Sequence, residues 1–96
     1  MNLNQIHNVY FIGIGGIGMS NLARYFKNLG KQVSGYDKTA STLTNELIES
    51  GISIHFEDNI DLIPKDFYIE NTLVIITPAV PVSHSEWNYF LERENS

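Results

Sequence analysis

The chain has 96 residues, 43% hydrophobic and 18% charged, which fits one small globular domain and excludes a disordered or low-complexity segment. Six basic against eleven acidic residues give a net charge of −5, so there is no nucleic-acid footprint, and a bound anion must rely on backbone amides and a helix dipole. No cysteine is present for a disulfide or thiolate site, no apolar run approaches the ~20 residues of a membrane span, and the start MNLNQIHN lacks a signal peptide's charge and apolar core.

NVYFIG, residues 8–13, is an apolar, β-branched and aromatic run ending in glycine, which predicts a buried strand. Residues 16–29 predict a helix with Ile17, Met19, Leu22, Ala23, Phe26 and Leu29 on its apolar face, ended by Gly30. KQVSGYD, residues 31–37, predicts the second strand. Ser41 is positioned to cap a helix over about residues 42–50, with Leu43, Leu47 and Ile48 on one face and Gly51 at its end. ISIHF predicts a third strand, and EDNIDLIPKDFYIEN a loop with one helical turn. TLVIIT, residues 72–77, is the most β-prone stretch and predicts a central strand, stopped by Pro78 and Pro81. Ser83 or Ser85 then caps a last helix running to the C-terminus.

The predicted order is β-α-β-α-β-β-α. It implies a Rossmann-like three-layer α/β domain with a mainly parallel sheet. A doubly wound sheet normally continues past such a final helix, so the domain is expected to be truncated at its C-terminus.

Between the first strand and helix, Gly13, Gly15 and Gly18 fit G-x-G-x-x-G, with Gly16 an extra. The strand-then-helix context required for that motif is met. Gly13 permits a tight turn, Gly15 and Gly16 let backbone approach a diphosphate, and Gly18 is expected to let the helix pack closely on the strand. First-turn amides and the helix dipole then face the anion, with the Ser20 hydroxyl as a further donor.

Asp37 ends the second strand 19 residues after Gly18, where dinucleotide folds place a ribose-binding carboxylate. It equally suits opening the turn that follows. TPAVP, residues 77–81, follows the fourth strand at its carboxyl end, where Thr77 is a candidate donor beside the glycine loop; a plain strand-ending loop reads the same way. His55, with Asn59 four residues on, either meets a nucleotide or is satisfied locally. His7 and His84 have no evident partners, and Trp87, Tyr89 and Phe90 read as packing. There is no G-x-x-x-x-G-K-[ST] loop, no metal-ligand spacing and no nucleophile–base pair. These residues alone do not separate a nucleotide-sugar from NAD(H), so a nicotinamide-binding regulatory or dehydrogenase module stays open. So does an interaction domain whose glycine loop is only structural.

HNVYFIGIGGIGMSNLA resembles the start of the Mur ligases, the amino-acid-adding enzymes of peptidoglycan synthesis, in the form typical of their L-alanine-adding members. VSGYD resembles the family's second strand, with Tyr36 where a Ser is usual; HFEDN matches a His-x-x-x-Asn segment; TPAV takes the place of SSAI. The resemblance runs from about His7 to the end. It implies a cytoplasmic three-domain ligase of which residues 1–96 are the N-terminal domain, holding the UDP portion of UDP-N-acetylmuramate. ATP and Mg²⁺ belong to the central domain, the amino acid partly to the C-terminal one, and neither domain is in this chain. The reaction it implies activates the lactyl carboxylate as an acyl phosphate, which the L-alanine amine attacks.

Carried over residue by residue, Gly15, Gly16, Ile17, Gly18, Met19 and Ser20 match the diphosphate loop, which Gly13 precedes. Asp37 matches the acidic residue near the uridine, and His55 the family histidine. Thr77, Pro78, Ala79 and Val80 match the second loop over the UDP site. Pro78 has no side-chain donor, so Thr77 keeps the only hydroxyl there.

Overall fold

A strand without polar alternation needs cover on both faces, and the first strand obtains it. In the computed structural model, which describes residues 2–94, β1 (Asn8–Ile12) is buried at all five positions. A 3₁₀ turn at Leu3–Gln5 precedes it. After it come α1 (Ile17–Asn28), β2 (Gln32–Tyr36), α2 (Thr42–Glu49), β3 (Ser53–His55), a 3₁₀ turn at Ile60–Leu62, β4 (Thr72–Ile76) and α3 (Ser85–Glu94). The expected element order is borne out. The strands are all parallel, in the spatial order β3-β2-β1-β4.

Side-chain alternation along β1 divides the core in two. Val9 and Phe11 join Ile14, Ala23, Phe26, Leu47 and Ile52 beneath α1 and α2. Tyr10 and Ile12 join Tyr36, Ile63, Phe67 and Phe90 beneath α3 and the loop before β4. These are the three layers. Each fully buried aromatic or aliphatic side chain contributes about 1.5–3 kcal/mol.

Three expectations need correction. β4 is not central: it pairs only with β1 and forms an edge of the described sheet, with residues 73–76 half-buried. Apolar composition reports that both faces are covered, not how many neighbours a strand has. The buried face of α1 is Ser20, Ala23 and Phe26, while Ile17 is 76% exposed and Leu22 and Leu29 also face out. On α2, Thr44 and Leu47 are buried and Ile48 is exposed.

The predicted cap of α2 forms as a reciprocal pair: the Thr44 amide donates to Ser41 Oγ at 3.2 Å and the Ser41 amide to Thr44 Oγ1 at 2.8 Å. Gly30 and Gly51 follow α1 and α2 with φ of 86° and 101°.

A further correction concerns α3, whose first turn is capped by neither Ser83 nor Ser85. The amides of Ser85 and Glu86 donate to the two carboxylate oxygens of Asp58, at 2.8 and 3.1 Å, from a loop 27 residues upstream. Burial pushes the Asp58 carboxyl up, but those two donations, with His84 beside it, hold it below the usual carboxylate range. A depressed folded pKa means a contribution that is full above the unfolded value, about 3.9, and lost as pH falls through the folded one. Asp58→Ala is therefore expected to destabilise the domain by about 1–2 kcal/mol at pH 7. The difference should shrink below about pH 4. Urea unfolding of both chains at neutral and acid pH measures it, and an equal difference at both would remove the Asp58 cap.

Candidate functional site

β1 lies between β2 and β4, so the chain leaves its carboxyl end toward one neighbour and returns on the other side. Open parallel sheets bind ligands at such a switch point. Three loops meet there. The amides of Gly13 and Ile14 donate to the Tyr36 carbonyl at 2.8 and 3.0 Å, and the Thr77 amide to the Ile12 carbonyl at 3.1 Å. They enclose a cleft of about 180 Å³ lined by Gly13, Tyr36, Asp37, Lys38, Thr77, Ala79, Val80, Pro81 and His84.

Two glycines are required by geometry. Gly13 has φ 97°, and the Thr77 methyl already fills the place of a Cβ there. At Gly15 a Cβ would lie 2.9 Å from Asp37 Cγ and 3.0 Å from Thr44 Cγ2. That closeness lets the Gly15 amide donate to Asp37 Oδ1 at 2.9 Å. Asp37 Oδ2 accepts from the Thr39 amide at 3.1 Å. Asp37 thus opens its turn, ties the glycine loop to β2, and lines the cleft.

Gly16 is the N-cap of α1 and has no side chain to cap it. The amides of the first turn, at Ile17, Gly18 and Met19, therefore receive no capping side chain. That leaves a positive helix end for an anion. Gly18 does not play its expected part in close packing. It is exposed, and a Cβ there would meet nothing within 4 Å. The near approach of α1 to the sheet is made by Ser20 and Ala23, both buried. Gly18→Ala should raise stability by up to about 1 kcal/mol, the usual gain at a helical glycine. A fall in melting temperature would show a constraint at Gly18 beyond sterics.

The remaining candidates divide. Met19 is half-buried against the core under α1, and Ile17 stands out in solvent. Ser20 is 1% exposed and its hydroxyl donates back to the Ile17 carbonyl at 2.9 Å. In the second loop the Val80 amide donates to the Thr77 carbonyl at 3.2 Å. Pro78 and Ala79 are exposed, and Thr77 and Val80 are half-buried.

His55 is not brought to the cleft. Its Nε2 lies 2.6 Å from Glu86 Oε2 and 3.1 Å from the Tyr10 hydroxyl. Glu86 is fully buried and also accepts from the Tyr10 hydroxyl at 2.5 Å and the Asn59 amide at 3.0 Å. Burial, then the Glu86 carboxylate, push the Tyr10 phenol far above its ordinary range. His55 and the Asn59 amide both converge on Glu86, so the local alternative for His55 is the one the structure shows. Sequence reasoning missed Glu86, Tyr10, Asp58 and His84; the signal available was the polar His-Ser-Glu step opening an otherwise aromatic helix.

Among the described residues no group of three or more His, Cys, Asp or Glu could hold a metal ion. No described helix is long and apolar enough to cross a membrane. With no P-loop either, these residues do not fit ATP and Mg²⁺.

Residues 8–94 match the model of the Mur ligase family, catalytic domain. The UDP-N-acetylmuramate–L-alanine ligase of Flavobacterium psychrophilum is 87% identical over 94 residues, covering 98% of this chain and 21% of that protein. Its counterpart in Parabacteroides distasonis is 56% identical over 91 residues, covering 94% and 20%. The crystal structure of UDP-N-acetylmuramate–alanine ligase MurC from Thermotoga maritima superposes with a TM-score of 0.76 at 32% identity, covering 90% of this chain and 19% of that one. The chain thus spans about a fifth of the length of the curated relatives it matches.

Proposed function

The chain belongs to the Mur ligase family, and on that premise we propose that residues 1–96 are the N-terminal, UDP-binding domain of a cytoplasmic ATP-dependent ligase that joins L-alanine to UDP-N-acetylmuramate. One observation carries this reading: the uncapped start of α1 opens beside Asp37 and Thr77 at the switch point between β1 and β4. The names of the similar ligases support it. They give no support to a nicotinamide-binding module.

In this reading the amides of residues 16–19 and the dipole of α1 hold the diphosphate, while the Gly15 amide stays on Asp37. Asp37, acceptor-only when ionised, faces the hydroxyl-bearing nucleoside rather than the anion. Residues 77–80 form the opposite wall, with the Thr77 hydroxyl as donor. His55 acts through the Glu86 network that seats α3, and Ser20 and Met19 through the packing of α1. Phosphoryl transfer, ATP and Mg²⁺ belong to the central domain, so the chain alone is catalytically silent. Its partners are the remaining domains of the same ligase.

Titrating the ¹⁵N-labelled chain with UDP tests the placement. Amide shifts are expected at residues 15–19, at Asp37 and at Thr77, Ala79 and Val80. Shifts confined to other parts of the fold would overturn it.

A further inference from the structure

A nucleotide is an anion, and this chain already carries a net charge of −5. The amides at the start of α1 are dipoles and bring no full charge to offset it. The chain has six lysines and arginines, and five of them are placed elsewhere. Arg24 pairs with Glu46 at 3.5 Å. Lys27 lies in the last turn of α1, at the opposite end from its uncapped start. Lys31 Nζ donates to the Leu3 carbonyl at 3.1 Å. Lys65 and Arg93 line a separate cleft between α3 and the loop before β4, where Arg93 lies over the Tyr89 ring at 3.6 Å. The sixth, Lys38, lines the cleft at the switch point. It is exposed, and among the described residues its ammonium enters no ion pair.

Its backbone is tied to the glycine turn. Asp37, the residue before it, holds the Gly15 amide through Oδ1 at 2.9 Å and the Thr39 amide through Oδ2 at 3.1 Å. The flexible four-carbon stem of Lys38 therefore starts beside the loop that opens α1. The same two bonds engage the neighbouring carboxylate with backbone, and the ammonium is left for another anion. We propose that Lys38 is a phosphate-binding residue of the cleft, its ammonium pairing with the diphosphate of bound UDP beside the amides of α1. This rests on the UDP-binding reading and adds to it the one lysine or arginine contact that the cleft holds. An ammonium meets phosphate as a point charge and needs no fixed fork geometry. An exposed stem suits that role, because the charge can follow the anion as it settles on the amides. It also makes the contact sensitive to salt, since exposed charges are screened.

Amide-shift titrations of the ¹⁵N-labelled chain, which read weak affinities, test this with UDP and with uridine. Lys38→Met keeps an unbranched stem and removes the charge, and at an exposed position it should leave folding unchanged. It should weaken UDP binding about fivefold at low salt. Uridine, which has no phosphate, should bind both chains equally. The difference for UDP should shrink toward zero at about 0.5 M salt, where the screening length falls to a few ångströms. Lys38→Arg keeps the charge and should bind UDP within about twofold of the parent chain. Equal UDP binding by Lys38→Met and the parent at low salt would overturn the inference. So would an equal loss for uridine, a loss that salt does not reduce, or an arginine variant as weak as the methionine one. If Lys38→Met binds normally while Gly15→Val does not, UDP binding stands and only the Lys38 contact falls. If the unaltered chain binds no UDP, both fall together.

Discussion

Glu86→Ala is expected to lower the stability of the domain by about 3–5 kcal/mol, a large part of what a chain of this size has. The Glu86 carboxylate is fully buried and takes hydrogen bonds from the Tyr10 hydroxyl, His55 Nε2 and the Asn59 amide, at 2.5, 2.6 and 3.0 Å. Removing it leaves three donors pointing at a cavity in the layer beneath α3. Each has lost its partner, and the Tyr10 hydroxyl sits in a fully buried side chain where water does not replace it. The same carboxylate ties β1, β3, the loop before β4 and α3 together, so the loss is cooperative rather than local. Glu86→Gln keeps the shape and one acceptor oxygen and should fall between the two. Urea unfolding measures all three chains. A loss under about 1 kcal/mol for the alanine variant, the worth of one ordinary hydrogen bond, would mean the network is not formed.

Gly15→Val should abolish nucleotide binding. A Cβ at this position already comes within 3.0 Å of the Asp37 carboxyl and the Thr44 methyl. The two valine methyls must then push the loop away from β2 or fill the space above the start of α1. Either change separates the first-turn amides from any diphosphate. Loss of binding by about a hundredfold or more is expected, with a stability loss of about 1–3 kcal/mol. Gly18→Ala provides the contrast, since that position is open on the outer face of α1. Undiminished binding by Gly15→Val would count against the amide cradle.

Much of the fold was legible in the chain itself. Ser41, Gly30 and Gly51 mark helix ends by local chemistry, and each does what its residue type predicts. The glycine turn and the strand before it were readable for the same reason, and GIGGIGMS with TPAV carried the family. What could not be read depends on partners far along the chain. Asp58 caps α3 from 27 residues away, and Glu86 looks like an ordinary acidic residue in a helix's first turn until Tyr10 and His55 are folded against it. His55 matched a family position, yet its Nε2 turns toward α3 because that is where the buried carboxylate sits. Ile17 has the apolar side chain of a core residue and lies outside because Ala23 and Phe26 fix the rotation of α1. Gly18 fitted the motif by spacing, but the sheet is approached one turn further in, at Ala23.

Isothermal titration of the chain with UDP-N-acetylmuramate, with NADH as comparator, tests the assignment most directly. Saturable binding of the UDP-sugar that is lost in Gly15→Val, with no comparable binding of NADH, is the predicted result. Preference for NADH would contradict it.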